Sequence, residues 1–91
     1  MFNSLRGTIT HKGTNLLFLS TGGIEWELHT TGTSLTTLPA EGREATVLVY
    51  LLHREDQLKL FGFASAQERT LFLELIKTDG VGPKVAQKIL S

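Results

Sequence analysis

The run Gly80, Val81, Gly82, Pro83, Lys84 carries the most specific chemistry in the chain. Two glycines around a small apolar residue let the backbone approach a ligand closely. Proline suits the first position of a helix, whose leading N–H groups find no partner inside the helix. The helix dipole favours negative charge at that end, so the natural ligand is a phosphate. Contact through main-chain amides is indifferent to base sequence, and Lys84 adds one charge-assisted contact. The competing reading is a plain αα-corner in which Gly80 and Gly82 serve only the turn. The spacing is not the G-x-x-x-x-G-K-[ST] of a nucleotide P-loop, so ATP hydrolysis is not expected.

Glu55 and Asp56 are the second candidate, adjacent carboxylates between two apolar runs. On an exposed turn they lack the burial that would raise a carboxyl pKa for general-acid work, and two neighbours without further ligands make a poor metal cage. A solvated turn is their simplest reading. His11, His29 and His53 have neither i, i+4 spacing nor an H-E-x-x-H context, and no G-x-S-x-G elbow accompanies the many Ser and Thr residues. The sequence points away from an enzyme, and neither a cofactor nor a metal is expected.

The elements that must position these groups are short. Phe2 to His11 reads as a strand with a bend or bulge at Gly7, and Leu16 to Ser20 as a second strand. After Gly22 and Gly23, Ile24, Trp26 and Leu28 alternate with Glu25, Glu27 and His29, which predicts a half-buried strand with three apolar side chains on one face. Between Thr30 and Gly42, the spacing of Leu35 and Leu38 allows one helical turn. Glu44 to His53 and Leu58 to Phe63 are the strongest strand signals, with residues 54–57 as the tip between them. Five short strands fit a five-stranded OB-fold barrel better than a sandwich, which needs about seven.

At Ala64 the periodicity changes. Ser65 and Glu68 form a capping-box pattern ahead of Leu71, Phe72, Leu75 and Ile76, one face of a helix that ends near Lys77. A second helix starts at Pro83 and runs through Val85, Ala86, Ile89 and Leu90, with Lys84 and Lys88 one turn apart. The fold class is therefore mainly β with C-terminal α: a barrel over 1–63, then a helix-hairpin-helix over 64–91. The apolar faces of 64–91 are too few to stand alone, so a fragment of a longer protein is expected.

Composition bounds the rest. Ninety-one residues make one small domain with a short appendage. Nine basic residues balance nine acidic ones, so any nucleic-acid contact must be local and not the work of a general positive field. The absence of cysteine excludes a disulfide framework. No apolar run is long enough to span a bilayer and no secretory h-region opens the chain, so no membrane association and a cytoplasmic location are expected.

With these residues in this order, the sequence resembles the RuvA family, bacterial Holliday-junction-binding subunits of the RuvAB branch-migration complex. The resemblance covers all 91 residues and rests on LeuArgGly at 5–7, ArgGluAsp at 54–56, LeuPheGlyPhe at 60–63, GlnGluArgThrLeuPhe at 67–72 and GlyValGlyProLys at 80–84. It implies a homotetramer that receives an open four-way DNA junction, matching the symmetry of protein and ligand. Main-chain groups of Gly80, Val81, Gly82 and Lys84 would hold arm phosphates, and Glu55 and Asp56 would form an acidic pin at the junction centre. The family continues with a second hairpin and a C-terminal domain that docks the RuvB motor, so roughly half of its phosphate contacts are expected here, with weak binding and a shallow salt dependence. Asp79 departs from the neutral residue expected before the glycine, and costs affinity unless it caps the turn.

Two other classes compete. A general single-strand-binding OB module needs exposed aromatic platforms, for which Phe2, Phe18, Trp26, Tyr50, Phe61 and Phe63 are the candidates, although the strand patterns favour a core role. An assembly scaffold without nucleic-acid contact predicts that Lys84→Ala changes no binding activity.

Overall fold

The alternating segments become strands and the run led by Ser65 a helix. The computed structural model describes residues 2–91, with Met1 outside the described residues. The order is β1 (Ser4–Gly13), β2 (Leu16–Thr21), β3 (Ile24–His29), α1 (Gly32–Thr37), β4 (Glu44–Arg54), β5 (Gln57–Phe63), α2 (Ala66–Ile76) and α3 (Pro83–Ile89). The strands close into a barrel in the order β1, β2, β3, β5, β4, the OB-type architecture that the sequence predicts.

Closure depends on β1. Its first half pairs with β4, Ser4 with Leu48 through Thr8 with Glu44, and its second half pairs with β2, Thr8 with Ser20 through Gly13 with Leu16. Thr8 is the residue shared by both ladders. The irregularity expected at Gly7 falls instead between Ile9 and His11, where Thr10 is the extra residue. Gly7 has a different task. A Cβ there would press into the Ser20 carbonyl and stand 2.9 Å from Thr21 Cβ, so the close crossing of β1 and β2 excludes a side chain.

The barrel interior holds Ile9, Leu17, Leu19, Leu28, Val47 and Val49, all at most 2% exposed. The three-residue apolar face expected on β3 is only partly buried. Leu28 is inside, Trp26 half-buried and Ile24 about half exposed, because Ile24 ends the ladder opposite Thr21 beside the Gly22–Gly23 turn. A second core lies between the barrel and the helices: Leu52 of β4, Phe61 and Phe63 of β5, Phe72 of α2 and Ala86 of α3. The Phe72 ring lies 5.0 Å from Phe61 and 5.1 Å from Phe63, centroid to centroid, in tilted contacts. Leu71, Val85 and Ile89, expected on the buried helix faces, are about half exposed, because Phe72 and Ala86 are the residues turned toward the barrel.

The short helix read from Leu35 and Leu38 exists, and its ends are tied to the rest of the molecule. The Thr31 hydroxyl accepts from the Ser34 amide at 3.0 Å as N-cap, while Lys12 Nζ donates to the Leu35 and Leu38 carbonyls at 2.7 and 2.9 Å, a cation at the helix C-terminus. The capping box is half made. Ser65 Oγ accepts from the Glu68 amide at 3.2 Å, but the Glu68 carboxylate does not turn back to Ser65. It accepts instead from Thr31 Oγ1 at 2.6 Å and from Ser34 Oγ, both on buried residues of the barrel connection. A charge-assisted tertiary pair outweighs a local one where turning away would leave two buried O–H donors without an acceptor. Arg69 completes the attachment, donating to the Asn3 and Val49 carbonyls at 2.8 and 3.1 Å.

Candidate functional site

Two features stand out from the barrel and share its second core. The first is the β4–β5 hairpin. Ladder pairs run from Leu48–Phe63 to Arg54–Gln57, leaving Glu55 and Asp56 as the two-residue turn, both exposed. On the flanks, β1 pairs with β4 only over Glu44–Leu48, and β3 meets β5 only at His29–Phe61. From Leu51–Leu60 outward the hairpin is a two-stranded ribbon with no third strand. Four rungs at about 3.3 Å carry the tip roughly 13 Å past the barrel wall. Leu52 anchors the base of this ribbon in the second core, whereas His53, Arg54, Leu58 and Lys59 are exposed.

The second feature is the turn over 77–82. Gly80 adopts φ +83°, a left-handed conformation that favours glycine, and the Val81 amide donates to the Thr78 carbonyl at 3.1 Å. Val81 is therefore held within the turn, with its side chain packed on the second core. The amides of Gly80, Gly82, Lys84 and Val85 donate to no group among the described residues. Gly82 is extended, at φ −86° and ψ 174°, which any residue adopts, and a Cβ there would meet nothing within 4 Å. The chain's own sterics do not require a glycine at this position. Asp79 is exposed and its carboxylate accepts no hydrogen bond among the described residues, so it does not cap the turn. The side chain of Lys84 is exposed and has no partner among the described residues.

Leu52 and Val81 belong to one cluster, so the tip and the turn are both fixed to the same packed ring of Phe61, Phe63 and Phe72. Sequence reasoning finds both features but not this link, because no local pattern reports which side chains meet across the barrel. It pairs Lys84 with Lys88 but misses Lys59 and His29, which line one open cleft with them. Burial and the nearby Lys59 ammonium lower the His29 pKa below its ordinary 6.5, against a smaller raising effect of Glu27, so the imidazole is neutral at pH 7.

The aromatic candidates are mostly packed. Phe61 and Phe63 lie in the core, Tyr50 packs toward Phe72 at 6.3 Å, and Phe18 lies against His11 at 5.1 Å. Only Phe2 is about half exposed, edge-on to Trp26 at 6.3 Å. No strand face offers the row of open rings that base stacking needs, which disfavours the single-strand-binding alternative. No helix among the described residues is long and apolar enough to cross a membrane.

Comparison with known proteins bears on the family of the chain. Residues 1–62 match the family model described as RuvA N terminal domain. Over all 91 residues the chain is 46% identical to the Holliday junction branch migration complex subunit RuvA of Treponema denticola, and 50% identical to the proteins of the same name from Citrobacter koseri and Salmonella paratyphi B. The whole chain is covered, but it spans 45% of the length of these curated relatives.

Proposed function

Because this chain belongs to the RuvA family, we propose that it is a non-catalytic DNA-binding element that recognises four-way junctions and holds them open for an ATP-driven branch-migration motor. The observation that carries this reading is an overall identity of 46–50% over all 91 residues, a span that includes the tip and the turn, to proteins named as branch-migration subunits. In this reading residues 1–63 supply the barrel and the pin, and 64–91 the phosphate-binding hairpin. The motor is RuvB, and the working assembly is a homotetramer around the junction in the cytoplasm.

The phosphate contacts fall to the unpartnered amides of Gly80, Gly82 and Lys84 and to the Lys84 ammonium. Val81 contributes by packing, since its amide is already used inside the turn. A glycine at 82, unexplained by its neighbours in the chain, is explained by a ligand that comes where a Cβ would stand. Gly82→Ala is therefore expected to leave stability unchanged or raise it by up to about 1 kcal/mol, while weakening DNA binding severalfold. Thermal melting and a gel-shift titration check the two halves separately, and an unaffected affinity would leave Gly82 to the turn alone.

Glu55 and Asp56 bring two carboxylates per subunit to the junction centre, where they repel phosphates. A like-charge pair in water at about 6 Å costs roughly 0.7 kcal/mol, so the pin guides strands through a summed field and does not lock them. Glu55→Gln with Asp56→Asn is expected to keep or raise junction affinity and to lower the junction-over-duplex preference by about threefold per repulsive pair removed. The test is a gel-shift competition between a synthetic four-way junction and linear duplex of the same sequences. Equal preference in wild type and variant removes the pin assignment, and wild-type binding without junction preference removes the proposed function.

A further inference from the structure

We propose that Lys59, Lys84 and Lys88, gathered around His29, form a second contact for nucleic-acid backbone phosphates, a cleft that carries a strand between the acidic tip and the glycine turn. The inference rests on the junction-binding reading above and extends it from Lys84, already assigned to the phosphate contacts, to Lys59, Lys88 and His29, which belong to neither the turn nor the tip.

Four separate elements build the cleft, which has a volume of about 420 Å³. Lys59 comes from β5, three residues after the tip; Lys84 and Lys88 come from α3; His29 ends β3; Thr14 and Asn15 form the β1–β2 turn. Three of the nine basic residues of a chain with zero net charge therefore face one space. Four of the other six cations are engaged elsewhere: Arg6 with Glu44, Lys77 with Glu74, Lys12 on the end of α1, Arg69 on the Asn3 and Val49 carbonyls; Arg43 and Arg54 are exposed and do not line the cleft. The side chains of Lys59, Lys84 and Lys88 make no hydrogen bond or ion pair among the described residues, and no carboxylate lines the cleft. The acid beside it is Glu27, whose Oε1 lies 3.7 Å from His29 Nε2.

Three like charges collected without a counter-ion repel one another, and an anion shared among them reverses the sign of that interaction. Lysine suits this task as a point charge on a flexible stem, able to follow a phosphate as a strand moves. The remaining lining is neutral, with Leu16 its one aliphatic side chain. Thr14 and Asn15 are uncharged, and Gln87 already spends its amide N–H on the Thr30 carbonyl at 2.8 Å, which fixes α3 against the barrel and so fixes the spacing of the cations. The cleft lies open beside Lys84, which also borders the glycine turn. That continuity favours a strand over a free anion.

The test measures junction binding by the 91-residue chain from about 50 to 200 mM salt, for wild type and for Lys59→Gln with Lys88→Gln. Both lysines are exposed, and neither belongs to the turn or the tip. Losing two phosphate contacts is expected to reduce the log–log salt slope by about 1.8 and to weaken binding roughly tenfold at the higher salt. A paired NMR titration follows the His29 ring, whose pKa rises when DNA brings negative charge into the cleft against Lys59, Lys84, Lys88 and Glu27. Unchanged slope and affinity in the double variant, with wild-type binding intact, overturn the cleft and leave the turn and tip untouched. The same His29 response to inorganic phosphate alone, with an unchanged slope, assigns the cleft to a free anion and overturns the strand. A wild type that binds no junction at about 50 mM salt overturns both readings.

Discussion

Phe72→Ala is expected to destabilise the chain by about 3–5 kcal/mol, the range for removing a large buried aromatic ring, and to lower the melting temperature by about 15–30 °C. Phe72 is fully buried and is the ring on which Tyr50, Phe61 and Phe63 converge. Its loss leaves a cavity bounded by β4, β5 and α3, which cannot collapse without moving Leu52 or Ala86. The functional consequence exceeds the stability one. Leu52 holds the base of the acidic hairpin and Val81 holds the glycine turn, so the same cavity loosens the spacing between tip and turn. Well below the lowered melting temperature, the variant should bind junctions with a reduced preference over duplex. Phe72→Leu, which refills most of the volume, should recover most of both properties. Thermal melting with junction and duplex titrations at about 15 °C checks this, and an unchanged preference in folded Phe72→Ala would separate the core from the site.

Gly7→Ala should be at least as damaging, with a cost on the order of 4 kcal/mol or more. Single methyl additions rarely cost this much, because a flexible neighbour moves aside. Here the obstacle is the backbone carbonyl of Ser20, with Thr21 Cβ at 2.9 Å, and neither has a rotamer that relieves the overlap. The β1–β2 ladder must open next to Thr8, the residue that joins both halves of the barrel. Gly82→Ala is the matched control, since its Cβ has no neighbour in the chain. If Gly7→Ala melts within a few degrees of wild type, the crossing is looser than its geometry indicates.

The barrel was readable because each strand announces itself locally. Ile24 to His29 and Leu58 to Phe63 alternate cleanly, and the polar residues 54–57 could only be a tip. The closing topology follows from five strands that must bury one face each. What escaped was everything decided at long range. Gly7 has the signature of a bulge in the sequence, yet its requirement comes from Ser20, thirteen positions away. Glu68 fits a capping box perfectly well by spacing, but the buried hydroxyls of Thr31 and Ser34 compete for its carboxylate and win. The turn glycines were legible as a pair, although only Gly80 needs its special φ. Lys84 and Lys88 were legible as a pair one turn apart, but Lys59 looked like an ordinary solvated cation, since nothing within a few residues of it reveals that it lines one cleft with α3 and His29.

The ribbon that carries Glu55 and Asp56 has a mechanical consequence. Closure removes free edges from the barrel, yet both edges of the ribbon stay open beyond Leu51 and Leu60. An open edge invites pairing with a foreign strand, and Arg54 and Lys59 near the tip act as charged guards against it. A two-stranded strip clamped only at Leu52 also behaves as a cantilever: it twists and bends more readily than the wall behind it, and its outermost rungs, Arg54–Gln57 and His53–Leu58, are the first to fray. Backbone amides there should exchange with solvent faster than those of Val47 and Val49. The acidic tip is thus sprung, able to deflect under load and return without disturbing the ring of phenylalanines at its root.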